Sequence, residues 1–494
     1  MNLLFDEWTP VTVAGRAQQM SLRTLLCSDQ PSELSLPRDD MELAALQLLI
    51  ALVQCIAAPA DKNGLRERIR QPMTEAEFDA AITPYRDWFD LDHANTPFMQ
   101  TRGIAAKKMT PIQKLFIGLP EGNNHKFFDP EGVIRAVCGG CAAIALFNQA
   151  SCCPSFGGGF KGTLRGAVPI TTLVDAGDLR RRVWENVLPA DQQSSWQQAG
   201  RDTPTWIDPI RAGETMHAVD IGLRRGLFWQ PARIELVAED ISGPCGSCAH
   251  PEQRLYTGFL KEKFNYTVAG FWMHPHSPML WRIKAGQPER RYLSFTTTAP
   301  AWTQLTQFVI DTPGAAREGH RAAAVVTASK ARRRSGGDRL LVGGYRNKQA
   351  SVIERRHELF SFKEGWVDAL ADLQAFVQIG LDARKSLYGS LMWAAKGQKD
   401  RFKGIGVDLH KAAETTFYQR SEPMIHARLR ELDQTTAERE KAAIQVELWQ
   451  LARDLYDEAV KPYQHEAELV HAIAAGRVKL FKELGKGSAN NERI

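Results

Sequence analysis

Two short cysteine pairs carry the clearest chemistry in the sequence. Cys138-Gly-Gly-Cys141 and Cys245-Gly-Ser-Cys248 each have the spacing of a thiolate knuckle, in which one tight turn aims two sulfurs at a single cation. Together the pairs supply tetrahedral sulfur ligation for zinc, and Gly139, Gly140 and Gly246 permit the tight backbone. Four sulfurs leave no open position, so a zinc held there would be structural rather than catalytic. The pairs lie far apart in the chain, so a shared site would clip distant segments together. The competing reading is four unrelated buried cysteines, or a redox CxxC. The first pair opens a segment, Cys138 to Gly166, that contains no acidic residue and ends in Phe156-Gly-Gly-Gly-Phe-Lys161 followed by Arg165. This is neither a Walker A loop, which needs a GK[ST] ending, nor a dinucleotide fingerprint. Consecutive glycines let backbone approach another molecule closely, and a DNA groove floor or a phosphate would suit; the plain alternative is a flexible turn.

Other stretches offer weaker chemistry. Gly343-Gly-Tyr-Arg-Asn-Lys-Gln349 has the composition of a hairpin tip presenting Tyr345, Arg346 and Gln349, residues that can insert into a duplex or touch base edges. Lys330-Ala-Arg-Arg-Arg334 reads as a basic loop able to meet phosphates, or simply a solvated one. Leu260-Lys-Glu-Lys263, flanked by Tyr256, Phe264 and Tyr266, reads as a strand that points its lysines to one face. His274-Pro-His276 reads as a turn rather than a metal pair, because partner ligands are missing. No Ser/His/Asp arrangement and no clustered carboxylate metal set stands out, which argues against a catalytic centre.

The elements that must hold these residues divide the chain in two. At 494 residues it is too long for one ordinary core. A hydrophobic share of 44% with 24% charged residues is that of a globular protein, and a net charge of +5 permits nucleic-acid contact without requiring it. The N-terminal residues lack the basic and apolar regions of a secretory signal, and the longest apolar run, Leu43 to Ala58, falls short of the ~20 residues that a bilayer needs. The expectation is a cytoplasmic protein with no membrane contact. Asp39 or Asp40 is placed to cap a helix through that run, and Thr74-Glu-Ala-Glu77 has capping-box form. From about residue 90 to 358 short β-rich runs alternate with Gly- and Pro-bearing loops, among them Val168–Leu173, Arg233–Val237, Tyr292–Thr298 and Ala322–Thr327. Beyond 359 only Pro423 and Pro462 of the 25 prolines remain. Four helical segments are predicted there, near 364–396, 408–432, 435–461 and 466–486. Ile444, Leu448, Leu451 and Leu455 form an apolar stripe on the third. The fold class expected is α+β: a large mixed α/β domain over 1–358, then an antiparallel four-helix bundle over 359–494.

Several blocks now carry a family resemblance: Leu36-Pro-Arg-Asp-Asp-Met-Glu-Leu-Ala-Ala45, His93 to Gln100, Cys138-Gly-Gly-Cys141, Phe156 to Arg165, Gly226-Leu-Phe-Trp-Gln-Pro231, Tyr256 to Lys263 and Gly343 to His357. The chain resembles the CasA family, the large subunit of the type I-E CRISPR surveillance complex, Cascade. The resemblance implies a non-enzymatic subunit that recognises the protospacer-adjacent motif (PAM) of double-stranded target DNA through the minor groove. It also implies help in strand separation and recruitment of a helicase-nuclease, with the other Cascade subunits and guide RNA as partners. The family's glycine loop matches Ser155, Phe156, Gly157, Gly158 and Gly159, with Lys161 just beyond. Its first glycine is Ser155 here. The family's lysine finger matches Lys263 and its glutamine wedge Gln349, preceded by Lys348, which should add a phosphate contact. The loop that engages the complex near the guide's 5′ end matches Phe127, Phe128 and Asp129, and the zinc positions match Cys138, Cys141, Cys245 and Cys248. The alternative, from another class, is a zinc-dependent nucleic-acid-processing enzyme; an interaction scaffold without DNA contact is a third reading.

Overall fold

The computed structural model describes residues 1–106, 108–119, 132–166, 168–312, 317–332, 337–348 and 351–491, with side chains through residue 485 except at 348. The chain forms two compact units. One comprises Met1–Thr296, Asp311–Arg332 and Leu340–Leu359; the other comprises Thr297–Ile310, Arg333–Arg339 and Phe360–Ile494. The first mixes helices with several small sheets, and the second is mainly helical.

The first unit is built around the helix Asp39–Ala57, which is buried along nearly its whole length and packs on the helix Gly139–Ser151. It is long and apolar enough to cross a membrane, but its surroundings are protein. The expected aspartate cap is not formed. The residue before the helix is Arg38, and Asp40 is occupied instead by Arg38 at 2.7 and 3.0 Å and by the Tyr345 hydroxyl at 3.0 Å. A buried carboxylate gains more from a bidentate arginine and a phenol than from a cap. The Thr74–Glu77 capping box is present, both of its hydrogen bonds included.

Two sheets matter for the site. Thr110–Pro111, Leu255–Glu262 and Arg233–Glu239 form an antiparallel sheet with Leu255–Glu262 in the middle. Ser351–Phe362, Asp338–Lys348 and Thr171–Asp175 form another. The run Ala322–Thr327, expected extended, lies mostly in a helix, Ala324–Arg332. Its β-branched residues are overridden by tertiary bonds: Asp311 accepts the Ala322 amide at 2.7 Å, while Arg332 is buried on the Glu185 carboxylate at 2.7 Å. Tyr292–Thr298 is likewise not a strand; the observed strand, Gln287–Tyr292, ends where it was expected to begin.

In the second unit, Leu370–Lys396 packs against each of Leu409–Leu429, Ala437–Val460 and Val470–Asn491. The stripe Ile444, Leu448, Leu451 and Leu455 is buried, and the Tyr456 hydroxyl donates to the Ile473 carbonyl at 2.8 Å.

Candidate nucleic-acid interface and cysteine cluster

The two CxxC pairs meet. The sulfurs of Cys138, Cys141, Cys245 and Cys248 all lie within 4.8 Å of one another, and the first three residues are buried. Cys138 stands at the N-terminus of the helix Gly139–Ser151, where its Sγ accepts the Cys141 amide at 3.4 Å. The Cys245 sulfur accepts the amides of Cys138 at 3.3 Å and Ser247 at 3.4 Å. Amide-to-sulfur bonds of this kind stabilise thiolates in tight knuckles. The glycines are needed for close approach: a Cβ on Gly140 would strike the Trp8 carbonyl, and one on Gly246 would stand 2.9 Å from the Ala136 oxygen. All eight cysteines are free, so the cluster is not a pair of disulfides.

The geometry suits a metal. Sulfurs at 2.3 Å from a tetrahedral centre lie about 3.8 Å from each other, and Cys138 Sγ and Cys248 Sγ are 3.7 Å apart. Hydrogen bonds from Cys138, Cys141 and Cys248 pull the Cys245 thiol far below its ordinary value, while contact with Cys138, Cys245 and Cys248 pushes Cys141 well above it. Four sulfurs this close, three of them buried, cannot all ionise without a cation among them. The four cysteines could therefore hold one metal ion in a closed set.

The glycine loop follows the same helix at its other end. Gly157 and Gly159 adopt φ of +105° and +86°, which side-chain-bearing residues rarely adopt, and the Phe160 amide closes a turn on the Gly157 carbonyl at 3.0 Å. Gly157 and Gly158 face open space. The Phe156 ring is the loop's foot, 5.5 Å from Phe160 and 5.8 Å from the fully buried Phe259. Phe259 lies on Leu255–Glu262, and two residues further along, Lys261 places its Nζ 5.2 Å over the Phe156 ring. Lys263, two further still, lies along the loop: a Cβ on Gly159 would stand 3.0 Å from Lys263 Cδ and 3.2 Å from its Nζ. Lys161 sits 5.8 Å over Tyr266. The structure thus brings Ser155, Phe156, Gly157, Gly158, Gly159, Lys161 and Lys263 into one surface.

Cluster and loop share their supports. The helix Gly139–Ser151 runs from Cys138 toward the loop, and its 13 residues span about 20 Å. The strand Leu255–Glu262 makes the same journey: Tyr256 bridges Val137 beside Cys138, and its far end leads into Lys263 at Gly159. Fixing the cluster therefore fixes both elements from which the loop surface is made.

Other expected residues lie elsewhere. Arg165 is buried and faces inward, donating to the Ser151 carbonyl at 2.9 Å, Ser277 Oγ at 2.8 Å and Thr171 Oγ1 at 3.1 Å, so it offers nothing to a phosphate. Tyr345 is no tip residue; it is buried between Asn148 and Asp40. Arg346 is paired with Glu354 at 2.6 Å. Of Lys330–Arg334, Lys330 to Arg332 are helical rather than a loop. Lys348 ends a strand, but its side chain, together with Gln349, Phe127, Phe128 and Asp129, lies outside the described residues. His274 and His276 are buried in a turn: burial, with Arg165 near, holds His274 well below the usual histidine value and His276 at about 3. Sequence reasoning placed Lys261 and Lys263 on one face but missed Phe259. Its signal was available, because Phe259 and Lys261 alternate along the strand Leu255–Glu262 and so share the face that leads to Lys263.

With this geometry in hand, likeness to known proteins becomes informative. A family model for CRISPR-associated protein Cse1 matches residues 2–455. The chain belongs to the Cse1 family. It is similar to CRISPR-associated protein CasA/Cse1 of Thermus thermophilus, with 24% identity over 224 residues, 43% of this chain and 43% of that protein. The alignment thus spans less than half of that relative's length. Among solved structures, Thermus thermophilus CasA (Cse1) superposes with a TM-score of 0.73 at 17% identity, covering 98% of this chain and 99% of that one. A chain of a CRISPR RNA-guided surveillance complex superposes at 0.69 with 14% identity, covering 97% and 99%. These likenesses show a common mixed α/β fold.

Proposed function

We propose that this chain is the large subunit of a type I-E CRISPR RNA-guided surveillance complex, and that it reads the PAM of double-stranded DNA in the minor groove. The observation that carries the reading is Lys263 lying along Gly159 while Gly157 and Gly158 face open space. A bare backbone edge with a cation beside it suits a narrow groove lined by acceptors. Minor-groove readout is degenerate, so such a surface tolerates several PAMs, and the guide RNA supplies sequence specificity. Gln349 and Lys348 act as wedge and phosphate contact, and Phe127, Phe128 and Asp129 meet the complex near the guide. Zinc occupies the cysteine cluster and acts structurally, since four thiolates close its coordination. It supplies no chemistry beyond holding the helix and strand that form the loop surface. The chain is not an enzyme; it works in the cytoplasm, starts strand separation and recruits a helicase-nuclease. In domain terms, residues 1–358 form the PAM-recognition domain and 359–494 a four-helix bundle.

The test is Lys263→Ala in the assembled complex. Affinity for a PAM-bearing duplex should fall several-fold with melting temperature unchanged; wild-type affinity would remove Lys263 from the site.

A further inference from the structure

Next to the glycine loop the first unit opens a cleft of 740 Å³. Ser155 and Lys161 belong to both the loop and the cleft wall. The lining is also aromatic: Trp229, Tyr266, Phe271, Trp272 and Tyr292 take part in it, and Lys161 lies over the Tyr266 ring. Phe271 and Tyr292 are half-buried and pack ring on ring at 4.6 Å. The rim is basic. Arg290 and Arg291, on the exposed strand Gln287–Tyr292, line the cleft with Lys161, and among the described residues neither arginine has a carboxylate within ion-pair distance. Among the described lining residues there is no Asp or Glu at all.

This composition selects a ligand class. Acid-free walls with free guanidinium groups attract polyanions. Aromatic faces beside those cations are the platforms on which unpaired bases stack, and stacking tolerates any base because each has a π-face. A DNA duplex, ~20 Å across with its bases turned inward, presents no base to these rings. An unpaired strand presents both bases and phosphates.

We propose that the cleft binds single-stranded DNA, taking the segment that becomes unpaired next to the glycine loop. Phe271 and Tyr292 stack its bases, and Lys161, Arg290 and Arg291 hold its phosphates. The capture biases the opening of the duplex, because it stabilises only the unpaired state. This inference rests on the loop being the duplex site, which is what supplies an unpaired strand there.

The experiment uses the full chain and two probes: a short oligothymidylate with one fluorescent pyrrolocytosine, and a PAM-bearing duplex. The wild type should bind the oligonucleotide and quench its fluorescent base. Arg290→Glu/Arg291→Glu, on an exposed strand, should weaken oligonucleotide binding by about tenfold or more at low salt. Phe271→Ala should relieve the quench while leaving the salt dependence intact. Oligonucleotide affinity unchanged in the arginine pair, with melting curves like wild type, would overturn the proposal. Thymidine monophosphate competing as well as the oligonucleotide, nucleotide for nucleotide, would assign the cleft to a free nucleotide and overturn it too. Gly158→Ala separates the two readings. If it spares duplex binding while the arginine pair still controls the oligonucleotide, the loop reading fails and the cleft stands.

Discussion

Gly158→Ala is the most informative single substitution because the free protein barely registers it. Gly158 is exposed, its φ lies outside the left-handed region, and a Cβ built there meets nothing within 4 Å. Removing a glycine's backbone freedom in an unstrained position changes stability by under about 1 kcal/mol, and in the stabilising direction. Any large effect must come from what the loop touches. If the minor-groove floor rests on Gly157 to Gly159, the new methyl is forced into a packed contact. Overpacking of one methyl costs about 1–3 kcal/mol, which is roughly 5- to 150-fold in Kd. Gly159→Ala serves as the opposite control. At φ +86° and with Lys263 Cδ 3.0 Å away, it should lose stability as well as displace the lysine. Gly177→Ala, also in open space but outside the loop, should leave both properties alone. The assay is equilibrium binding of a PAM-bearing duplex by the assembled complex, with melting curves for each variant. Gly158→Ala binding within twofold of wild type would refute close backbone approach.

Two further outcomes follow from the cluster and from the buried histidines. Metal analysis of protein purified without chelator should find about one zinc per chain, with Cys245→Ser losing it and melting lower; a Cys245→Ser protein that melts like wild type would rule out a stabilising metal. His274 and His276 have folded values pushed below the ordinary 6.5, so the unfolded chain binds more protons in acid. Their contribution is complete above about pH 6.5 and is lost as pH falls toward the folded value, about 3 for His276. At pH 5.5 His276 costs about 1.4 kcal/mol relative to neutral pH, so melting should drop on acidification, and His276→Asn should flatten that slope; parallel profiles would contradict the burial argument.

The parts legible from sequence were those in which local spacing and chemistry coincide. CxxC spacing is a local signal, and the sulfurs do meet; that they meet across the chain rests on the Val137–Tyr256 bridge, which no local pattern contains. The capping box at Thr74 was readable because every partner lies within one turn. Where long-range bonds compete with local preference, sequence reading failed. Ala322–Thr327 has β-branched residues, yet Asp311 and Glu185 draw it into a helix. Tyr345 looked like a tip residue because its glycines suggest a turn, but its hydroxyl reaches Asp40 some 300 residues away in sequence. Arg165 looked like a phosphate ligand for its position after the glycines, and instead holds Ser151, Thr171 and Ser277 together. The glycine loop was ambiguous alone, and the cleft beside it was invisible, since its walls come from four separate stretches.

The most direct measurement is a cryo-EM map of the complex assembled on a PAM-bearing duplex. Gly157 to Gly159 should lie against the minor-groove floor with Lys263 Nζ within hydrogen-bond distance of a base or sugar acceptor. A duplex held with that loop facing solvent, or entered through its major groove, would contradict the account.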